Sequence, residues 1–397
     1  MSKWSEHVKR YAKKHKMSYR EASMNAKCKE SYRKKRMSPR KMSPKKKRMN
    51  LFPFIRSFLP RGNDELIIEA IQSGNYLELR DDLLNQVTNI NFFYQGTTPL
   101  IEACKIGDRF IVELLIEKGA NLDLEGLVQG VTYTPLTLVI DKDLSASNRL
   151  ARLLVDRGAD VNKAISQGRH IANTPICFAS LRENLTIMRI LLNAGANPNQ
   201  LCQHDMSPIF AVIIPTWGTY RGSTLGDNVL RCVELLLDRG ADVNHVMDNG
   251  NTPLIFSCKK GYLGLVRLFL DRGANINSAD NSGLTSLHIA VRGGNEELVR
   301  RLLERGANPN HPDSNGYTPL HLAVLEKLPD IAELLLSRGA NPNLAADDGS
   351  TPLEIARPYE PVYPGGPDLP SILRDYQLGV EEENNSSRLA IGSARNR

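Results

Sequence analysis

The chain repeats a short motif at nearly constant spacing, and this repetition restricts the possible folds more than any other feature. The motif is Thr-Pro or a close variant, and its copies begin at Thr98, Thr134, Thr174, Ser207, Thr252, Thr285, Thr318 and Thr351. Four of the seven intervals between them are 33 residues, and the other three are 36, 40 and 45. A period of this length predicts a solenoid, in which each unit buries its apolar face by stacking on its neighbours.

The residues within one repeat predict a pair of helices. Thr or Ser accepts a hydrogen bond from an unpaired N–H at a helix start, and Pro fits the first helical position because it has no N–H. A Leu-rich segment such as "VELLLDRG", Val233–Gly240, supplies the buried stripe of a second helix. Its Gly ends that helix in a left-handed conformation. We therefore predict an all-α chain of helix-turn-helix units.

Two segments, "YTPLHLAV" at Tyr317–Val324 and "LTSLHIAV" at Leu284–Val291, resemble the T-P-L-H motif of the ankyrin repeat. The resemblance covers residues 64–378 and implies a solenoid of about nine helix-turn-helix units with β-turn fingers between them. Divergent first and last units are typical of such arrays. We expect residues 51–63 to form a linker or cap, and residues 379–397 to be a disordered tail.

The sequence offers no catalytic, metal-binding or cofactor site, and we expect no enzyme. For His288 and His321, the resemblance implies a structural hydrogen bond back to the helix start. It also implies that Cys104 and Cys258 are small buried residues. The six cysteines contain no C-x-x-C pair, which favours a reducing, intracellular setting.

Two asparagines are candidates for modification. The segments ending at Asn162 and Asn244, "LLVDRGADVN" and "LLLDRGADVN", resemble ankyrin substrates of an asparaginyl hydroxylase. That resemblance implies hydroxylation if the host cell contains the enzyme.

Insertions interrupt the period at three fingers or loops. Two fingers, before Thr134 and before Thr174, are longer than the others. The segment "IIPTWGTYRGSTLGDN" carries Trp217, Tyr220 and Arg221, residue types that are frequent in binding hot spots. It is either a binding loop or a surface insertion whose Trp folds back on its own repeat.

The array predicts binding of a protein partner. In ankyrin arrays the finger tips and inner helices line a concave groove, and the positions carried over to this chain are Tyr94, Lys105, Tyr133, Arg182, Met206, Lys259, Lys260, Arg292, Tyr317 and Leu325. Their mixture of basic and aromatic side chains suits a partner surface that is acidic and partly apolar. No apolar run is long enough to span a membrane, and we expect no small-molecule substrate.

The first 50 residues are a basic arm. They contain 19 Lys and Arg against 3 Glu, whereas the remaining residues hold 32 basic and 41 acidic side chains. Clusters that resemble nuclear import signals, or that could contact nucleic acid, comprise Arg33, Lys34, Lys35, Arg36, Arg40, Lys41, Lys45, Lys46, Lys47 and Arg48. Ser38 and Ser43 precede proline and fit proline-directed phosphorylation, which would cancel part of this charge.

The composition of the arm is consistent with several functions. It could be an import address, a nucleic-acid tether or a solubilising tail, and attachment to an anionic membrane is a fourth alternative. Its first 36 residues are predicted to be partly helical or disordered. They resemble a motif of large DNA viruses and, weakly, a helix pair of HMG-box-like proteins. We therefore expect an intracellular adaptor, more nuclear than cytoplasmic; the alternative is a nucleic-acid- or chromatin-associated protein that binds mainly through its arm.

Overall fold

The computed structural model describes residues 63–74, 76, 79, 89–142, 146–167, 170–202, 205–214, 226–357 and 369–376. The basic arm, almost all of the predicted linker, the loop with Trp217, Tyr220 and Arg221, and the predicted tail lie outside the described residues. The chain divides into two compact units, Met1–Val128 and Gln129–Arg397, which we describe separately.

Within its described residues, the first unit contains three helices and one short strand. These are α1 (Asn63–Gln72), α2 (Pro99–Ile106), α3 (Arg109–Glu117) and β1 (Gly126–Val128). Helix α2 packs on both α1 and α3. The Thr98 hydroxyl accepts a hydrogen bond from the Ile101 N–H and so caps α2, as the Thr-Pro motif predicts. Helix α1 takes the place of the inner helix in a first repeat that lacks Thr-Pro.

The second unit contains three strands and fourteen helices within its described residues. The strands are β2 (Val131–Tyr133), β3 (Ile165–Gln167) and β4 (His170–Asn173). The inner helices are α4 (Pro135–Asp141), α6 (Pro175–Leu181), α8 (Pro208–Ile213), α10 (Pro253–Lys260), α12 (Ser286–Arg292), α14 (Pro319–Leu325) and α16 (Pro352–Ala356). The outer helices are α5 (Ser147–Asp156), α7 (Leu185–Asn193), α9 (Asp227–Asp238), α11 (Leu263–Asp271), α13 (Glu296–Glu304) and α15 (Pro329–Ser337). A closing helix, α17, spans residues 369–376.

The inner helices α4, α6, α8, α10, α12 and α14 each pack on the outer helix that follows them. Helices α4, α6 and α8 lie side by side, and so do α10, α12, α14 and α16. At the junction between these groups, the rings of Phe210 and Phe256 meet edge to face with centroids 6.1 Å apart. The predicted all-α solenoid is thus confirmed, with short strands added at the longer fingers.

The fingers are of two kinds. Strands β3 and β4 form an antiparallel hairpin in which Ile165 faces Asn173, so the longer finger before Thr174 is a β-hairpin. The regular fingers are tight turns held by an aspartate: the Asp280 carboxylate accepts the N–H groups of Ser282 and Leu284. Asp313 does the same one repeat later. After both kinds of finger, the N-cap threonine of the next inner helix has an extended backbone conformation.

Successive regular fingers interlock through the backbone. The Ser314 N–H donates to the Ser282 carbonyl at 3.0 Å, and the Asp347 N–H donates to the Asn315 carbonyl at 3.0 Å. The fit requires glycine at the turn: Gly283 has φ +74°, and a Cβ there would lie 2.5 Å from the Ser314 nitrogen. Backbone therefore meets backbone at each finger, with no space for a side chain.

A row of asparagines links successive repeats at the segments that follow the outer helices. In each link an Asn amide oxygen accepts an N–H of the following repeat, as Asn310 accepts from Asn341 at 2.7 Å. The Asn310 amide also donates to the Gly339 carbonyl at 2.9 Å. The other acceptors in this row are Asn91, Asn162, Asn199, Asn244 and Asn277. The recurrent "GANPN" segments thus do more than reverse the chain direction: they bond successive repeats to each other.

One covalent link joins neighbouring repeats. Cys177 in α6 and Cys202 in the following finger form a disulfide with a Cα–Cα distance of 5.5 Å, and neither residue is exposed. Cysteine spacing along the chain did not predict this pair. The two residues are 25 positions apart, and only the stacking of the repeats brings them together.

Candidate partner-binding surface

A strip of basic and apolar side chains runs across three inner helices of the second unit. Lys259, Arg292 and Leu325 each lie seven residues after an N-cap threonine and are exposed at the ends of α10, α12 and α14. One turn earlier, the half-exposed Phe256, Ile289 and Leu322 lie on the same helix face. Together with Lys260, these residues form what we call the inner strip. Repeat periodicity aligns them because equivalent positions of adjacent helices become neighbours.

Lys259 is held by two fingers, the one that leads into its own helix and the one that follows. Its ammonium group donates to the Asn251 amide oxygen and to the Asp280 carboxylate, both at 2.8 Å. Partial burial raises the pKa of Asp280, but the Lys259 hydrogen bond and the backbone N–H bonds outweigh it, so the pKa lies below its ordinary value. The charge of Lys259 is therefore compensated within the protein.

Lys260 and Arg292 differ from Lys259 in this respect. The Lys260 ammonium lies 5.7 Å from the centre of the Phe256 ring, a cation–π contact that leaves its charge unneutralised. Within the described part of the chain, the Arg292 guanidinium has no hydrogen bond or ion pair, and its side chain is exposed. Next to them, Leu325 is 42% exposed. The inner strip thus presents two uncompensated positive charges beside apolar surface.

Tyr317 lies on the finger that leads into α14. Its hydroxyl donates to the Asp348 carboxylate at 2.9 Å, and its ring meets the His321 ring edge to face with centroids 5.4 Å apart. The hydrogen bond to Asp348 raises the pKa of Tyr317. Because the ring is half-buried and fixed at both ends, Tyr317 is a rigid aromatic element at the edge of the inner strip.

Tyr133 and Arg182 belong to a separate polar cluster around Asp141. The Tyr133 hydroxyl donates to one Asp141 oxygen at 2.7 Å, and the Arg182 guanidinium donates to the other at 2.9 Å. Burial and this hydrogen bond raise the pKa of Tyr133. Tyr133 is only 5% exposed, so the structure does not present its ring to a partner as the sequence predicted. Its function is to hold Asp141, while Arg182 remains exposed.

The three remaining predicted residues lie elsewhere. Met206 is partly buried against the Cys177–Cys202 pair. In the first unit, Tyr94 is half-buried and pairs with Thr97 across a tight turn, and the exposed Lys105 donates to the buried Glu102 carboxylate at 3.4 Å. The structure therefore brings together only Lys259, Lys260, Arg292, Tyr317 and Leu325 of the ten predicted residues.

Sequence reasoning missed the apolar half of the inner strip and the carboxylates that position its polar half. Phe256, Ile289 and Leu322 recur four residues after the N-cap threonine, and this spacing was the available signal. Asp280 and Asp348 carry no such signal, because each lies in the repeat that follows the residue it contacts.

The histidines of the T-P-L-H motif have the structural function that the resemblance implies. The His288 Nδ1 lies 3.2 Å from the Thr285 nitrogen, and its Nε2 lies 3.1 Å from the Tyr317 carbonyl oxygen in the next finger. His321 repeats both contacts with Thr318 and Ser350. Burial lowers the pKa of His288 to about 4 and also lowers that of His321, so both rings are neutral at pH 7.

Cys104 and Cys258 are buried, as expected, and burial raises the pKa of the Cys258 thiol to about 12. The two candidate hydroxylation sites lie in the asparagine row. The Asn162 amide contacts Gly195 and Asn197 of the next repeat, and the Asn244 amide oxygen accepts the Asn275 N–H. Hydroxylation of either residue stays a prediction.

The described residues show neither a metal-ligand cluster nor a membrane-spanning helix. No three His, Cys, Asp or Glu side chains come together there as metal ligands would. None of the helices described above has the length and apolar character needed to cross a membrane.

Comparison with known proteins agrees with the repeat architecture. The family model "Ankyrin repeats (3 copies)" matches residues 66–165, 224–313 and 279–346, and the model "Ankyrin repeat" matches residues 173–203. An ankyrin repeat domain of Acinetobacter baumannii, known from a crystal structure, is 27% identical and has a TM-score of 0.44. The match covers 51% of this chain and 97% of that domain.

Two characterised proteins share part of the array. Ankyrin repeat and SOCS box protein 6 of Homo sapiens is 28% identical over 179 residues, which are 45% of this chain and 39% of that protein. Ankyrin repeat, SAM and basic leucine zipper domain-containing protein 1 of Eulemur macaco macaco is 33% identical over 113 residues, which are 28% of this chain and 21% of that protein. The chain therefore spans less than half the length of these relatives. Because the family models match more than half of its residues, the chain belongs to the ankyrin-repeat family.

Proposed function

We propose that this chain is a non-catalytic scaffold and that its inner strip binds a protein partner whose contacting surface is acidic and partly apolar. Ankyrin repeats mediate protein–protein interactions, which supports the general function. The observation that favours this type of partner is the pair of uncompensated charges on Lys260 and Arg292, beside the exposed Leu325 and the half-exposed Phe256. An acidic side chain of the partner would be attracted there without first displacing an internal carboxylate.

The test is a charge reversal with a matched control. Proteins captured by the full chain would be identified by mass spectrometry, and the dissociation constant of the main partner would then be measured. We expect Arg292→Glu to weaken binding by about 10- to 100-fold, because it replaces an attraction by a repulsion. Arg267→Glu should leave the affinity unchanged, since Arg267 lies on the outer helix α11 and is 73% exposed. Equal binding by the wild type and Arg292→Glu would contradict the proposal.

For the arm we propose delivery of the bound partner to the nucleus or to nucleic acid. The support is its charge, 19 basic against 3 acidic residues within 50. The motif that resembles those of large DNA viruses favours a viral origin and a partner among host factors. An intracellular, mainly nuclear location belongs to the same proposal.

A nucleic-acid-associated function centred on the arm is the second candidate, supported by the repeated Ser-Pro basic units at Ser38 and Ser43. Deletion of residues 1–50 separates the two candidates. Partner capture that survives both the deletion and nuclease treatment supports the scaffold. Binding that depends on intact nucleic acid and falls steeply with salt supports the second candidate.

A further inference from the structure

The Cys177–Cys202 disulfide occupies a position that carries a different chemical group in other repeats. Cys177 is the fourth residue of its Thr-Pro motif, where α12 and α14 have His288 and His321. Those histidines connect to the next finger through hydrogen bonds of 3.1 Å and 3.2 Å to a backbone carbonyl. At Cys177 the corresponding contact, to the Gln200 carbonyl, is 3.7 Å long.

The partner cysteine also has an equivalent in other repeats. Cys202 lies five residues before Ser207, and the residue five before Thr351 is the buried Ala346. The Cys202 N–H donates to the Met206 carbonyl at 2.8 Å, which closes the finger around the sulfur. A disulfide between these positions therefore replaces the histidine contact by a covalent one without altering the finger.

The surroundings of the two sulfurs are apolar. Both cysteines are 0% exposed, and they pack against Ala211, Leu181 and Met206. Such an environment keeps reduced thiols neutral and slows their reaction with small molecules. By contrast, Cys104, Cys232 and Cys258 are buried but not disulfide-bonded. Only one cysteine pair in the described residues is thus placed for an internal thiol–disulfide exchange.

We propose that Cys177 and Cys202 are a reversible oxidation site that sets how firmly the finger segment 197–202 is attached to the preceding repeat. In the oxidised state the sulfur–sulfur bond joins the two repeats. In the reduced state the finger loses the inter-repeat link that His288 and His321 provide elsewhere. Exchange requires the finger to open, because neither sulfur is accessible in the closed structure.

The oxidant is a small disulfide such as oxidised glutathione. One cysteine thiolate attacks it, forming a mixed disulfide and releasing one small thiol; the second cysteine then attacks the mixed disulfide and releases the other. Two protein S–H bonds become one S–S bond, and the two electrons and two protons end in two small thiols. A dithiol reductant reverses the sequence.

The first experiment compares the full chain after treatment with oxidised glutathione and after treatment with dithiothreitol. In the oxidised chain, tryptic peptides 170–182 and 190–221 should be recovered as one linked species after alkylation without reduction. The Tm of the oxidised chain should exceed that of the reduced chain by about 5–10 °C. Amide exchange at residues 198–206 should become faster on reduction. Absence of the linked peptide, or identical Tm and amide exchange in the two states, would overturn the proposal.

Variants separate the site from a general effect of thiol chemistry. Cys202→Ala introduces the residue found at the equivalent Ala346, and it should abolish the response to redox state. The double variant C177H/C202A should also be insensitive, while the histidine restores a hydrogen-bonded link and a Tm near that of the oxidised chain. Cys258→Ala should keep the full redox response. A redox response that persists in C177H/C202A would contradict the assignment.

The redox proposal does not depend on the function proposed above, because Met206, which packs on the sulfurs, lies outside the inner strip. If the inner strip does not bind a partner, the stability and exchange measurements still test the site. The two proposals therefore fail independently.

Discussion

Two stretches of the second unit build the same repeat with different linking chemistry. In residues 252–351 the repeats are 33 residues long and their fingers are tight aspartate-held turns. The neutral His288 and His321 connect two of these repeats to the next one. In residues 134–214 the fingers include a hairpin, and Thr137, Cys177 and Phe210 stand where histidine would be. Thr137 completes a reciprocal cap with Thr134, whereas Cys177 forms the disulfide.

The difference shows what the repeat requires and what it leaves open. Every inner helix in both stretches begins after Thr or Ser and stacks on the next one. The group that bridges to the following finger can vary, and its chemistry determines which condition the bridge senses. A buried imidazole senses pH, and a cysteine pair senses redox state.

The largest expected effect concerns the finger interlock of the regular stretch. Gly283→Ala must both accept a positive φ and push its Cβ against the backbone of the next finger. We expect a loss of about 4 kcal/mol in the free energy of unfolding, measured by urea denaturation. Gly306→Ala is the control, since φ is +87° but nothing lies within 4 Å of the added Cβ. It should lose about 1 kcal/mol, and equal losses would show that steric fit between fingers is unimportant.

The next effect is the pH response of the histidine bridges. Burial lowers the pKa of His288 to about 4, against an unfolded value near 6.5. A histidine whose pKa is lower in the folded state stabilises the fold above pH 6.5, and this contribution is lost as the pH falls to 4. We expect a loss of about 3 kcal/mol from His288 over this range, measured by urea denaturation at each pH.

Threonine is the control substitution, because Thr137 occupies the equivalent position in α4. His288→Thr should be less stable at pH 7 yet flatten the pH dependence between 6.5 and 4. An unchanged pH profile in this variant would mean that other groups titrate in that interval.

A smaller effect is expected in the asparagine row. Asn310→Ala removes an acceptor for the Asn341 N–H and a donor to the Gly339 carbonyl. The free energy of unfolding should fall by about 2 kcal/mol, measured by thermal or urea denaturation. Asn343 begins no such link within the described residues, and Asn343→Ala should change stability by less than about 0.5 kcal/mol. A similar loss in both variants would argue that the side chains act locally.

The smallest effect is expected for ion pairs between outer helices. Arg272 reaches Asp238 at 2.8 Å and Glu234 at 3.5 Å, but both carboxylates are more than half exposed. Arg272→Ala should therefore lower stability by only about 0.5 kcal/mol, and 0.5 M salt should remove most of the difference. A larger, salt-independent loss would indicate that the arginine stem packs on the helices.

Local sequence determined much of this fold, and the reasons are physical. The N-cap threonines, the helix-ending glycines and the buried leucine stripes act within a few residues of themselves, so their spacing predicts each helix. The functions of His288 and His321 followed from the T-P-L-H resemblance, because their first contact is with the threonine three residues earlier.

Contacts between repeats were harder to predict. The disulfide joins cysteines 25 positions apart, and Lys259 contacts Asp280, 21 positions further along the chain. The ring of Tyr133 packs against that of Phe178 in the next repeat. Spacing within one motif carries no information about such partners. Aligning the repeats on their threonines would have placed Cys177 opposite the finger that contains Cys202, and Phe256 beside Ile289.

The finger interlock also has a mechanical consequence. Because each regular finger is bonded to the one before it, pulling on residues 252–351 loads these links one after another, not all together. Releasing one repeat of 33 residues would extend the chain by about 110 Å, so the array should lengthen in steps of that size under constant force. A covalent bond between Cys177 and Cys202 would prevent the segment between them from being pulled out. Oxidation of the two cysteines would therefore shorten the maximum length to which the array can be pulled.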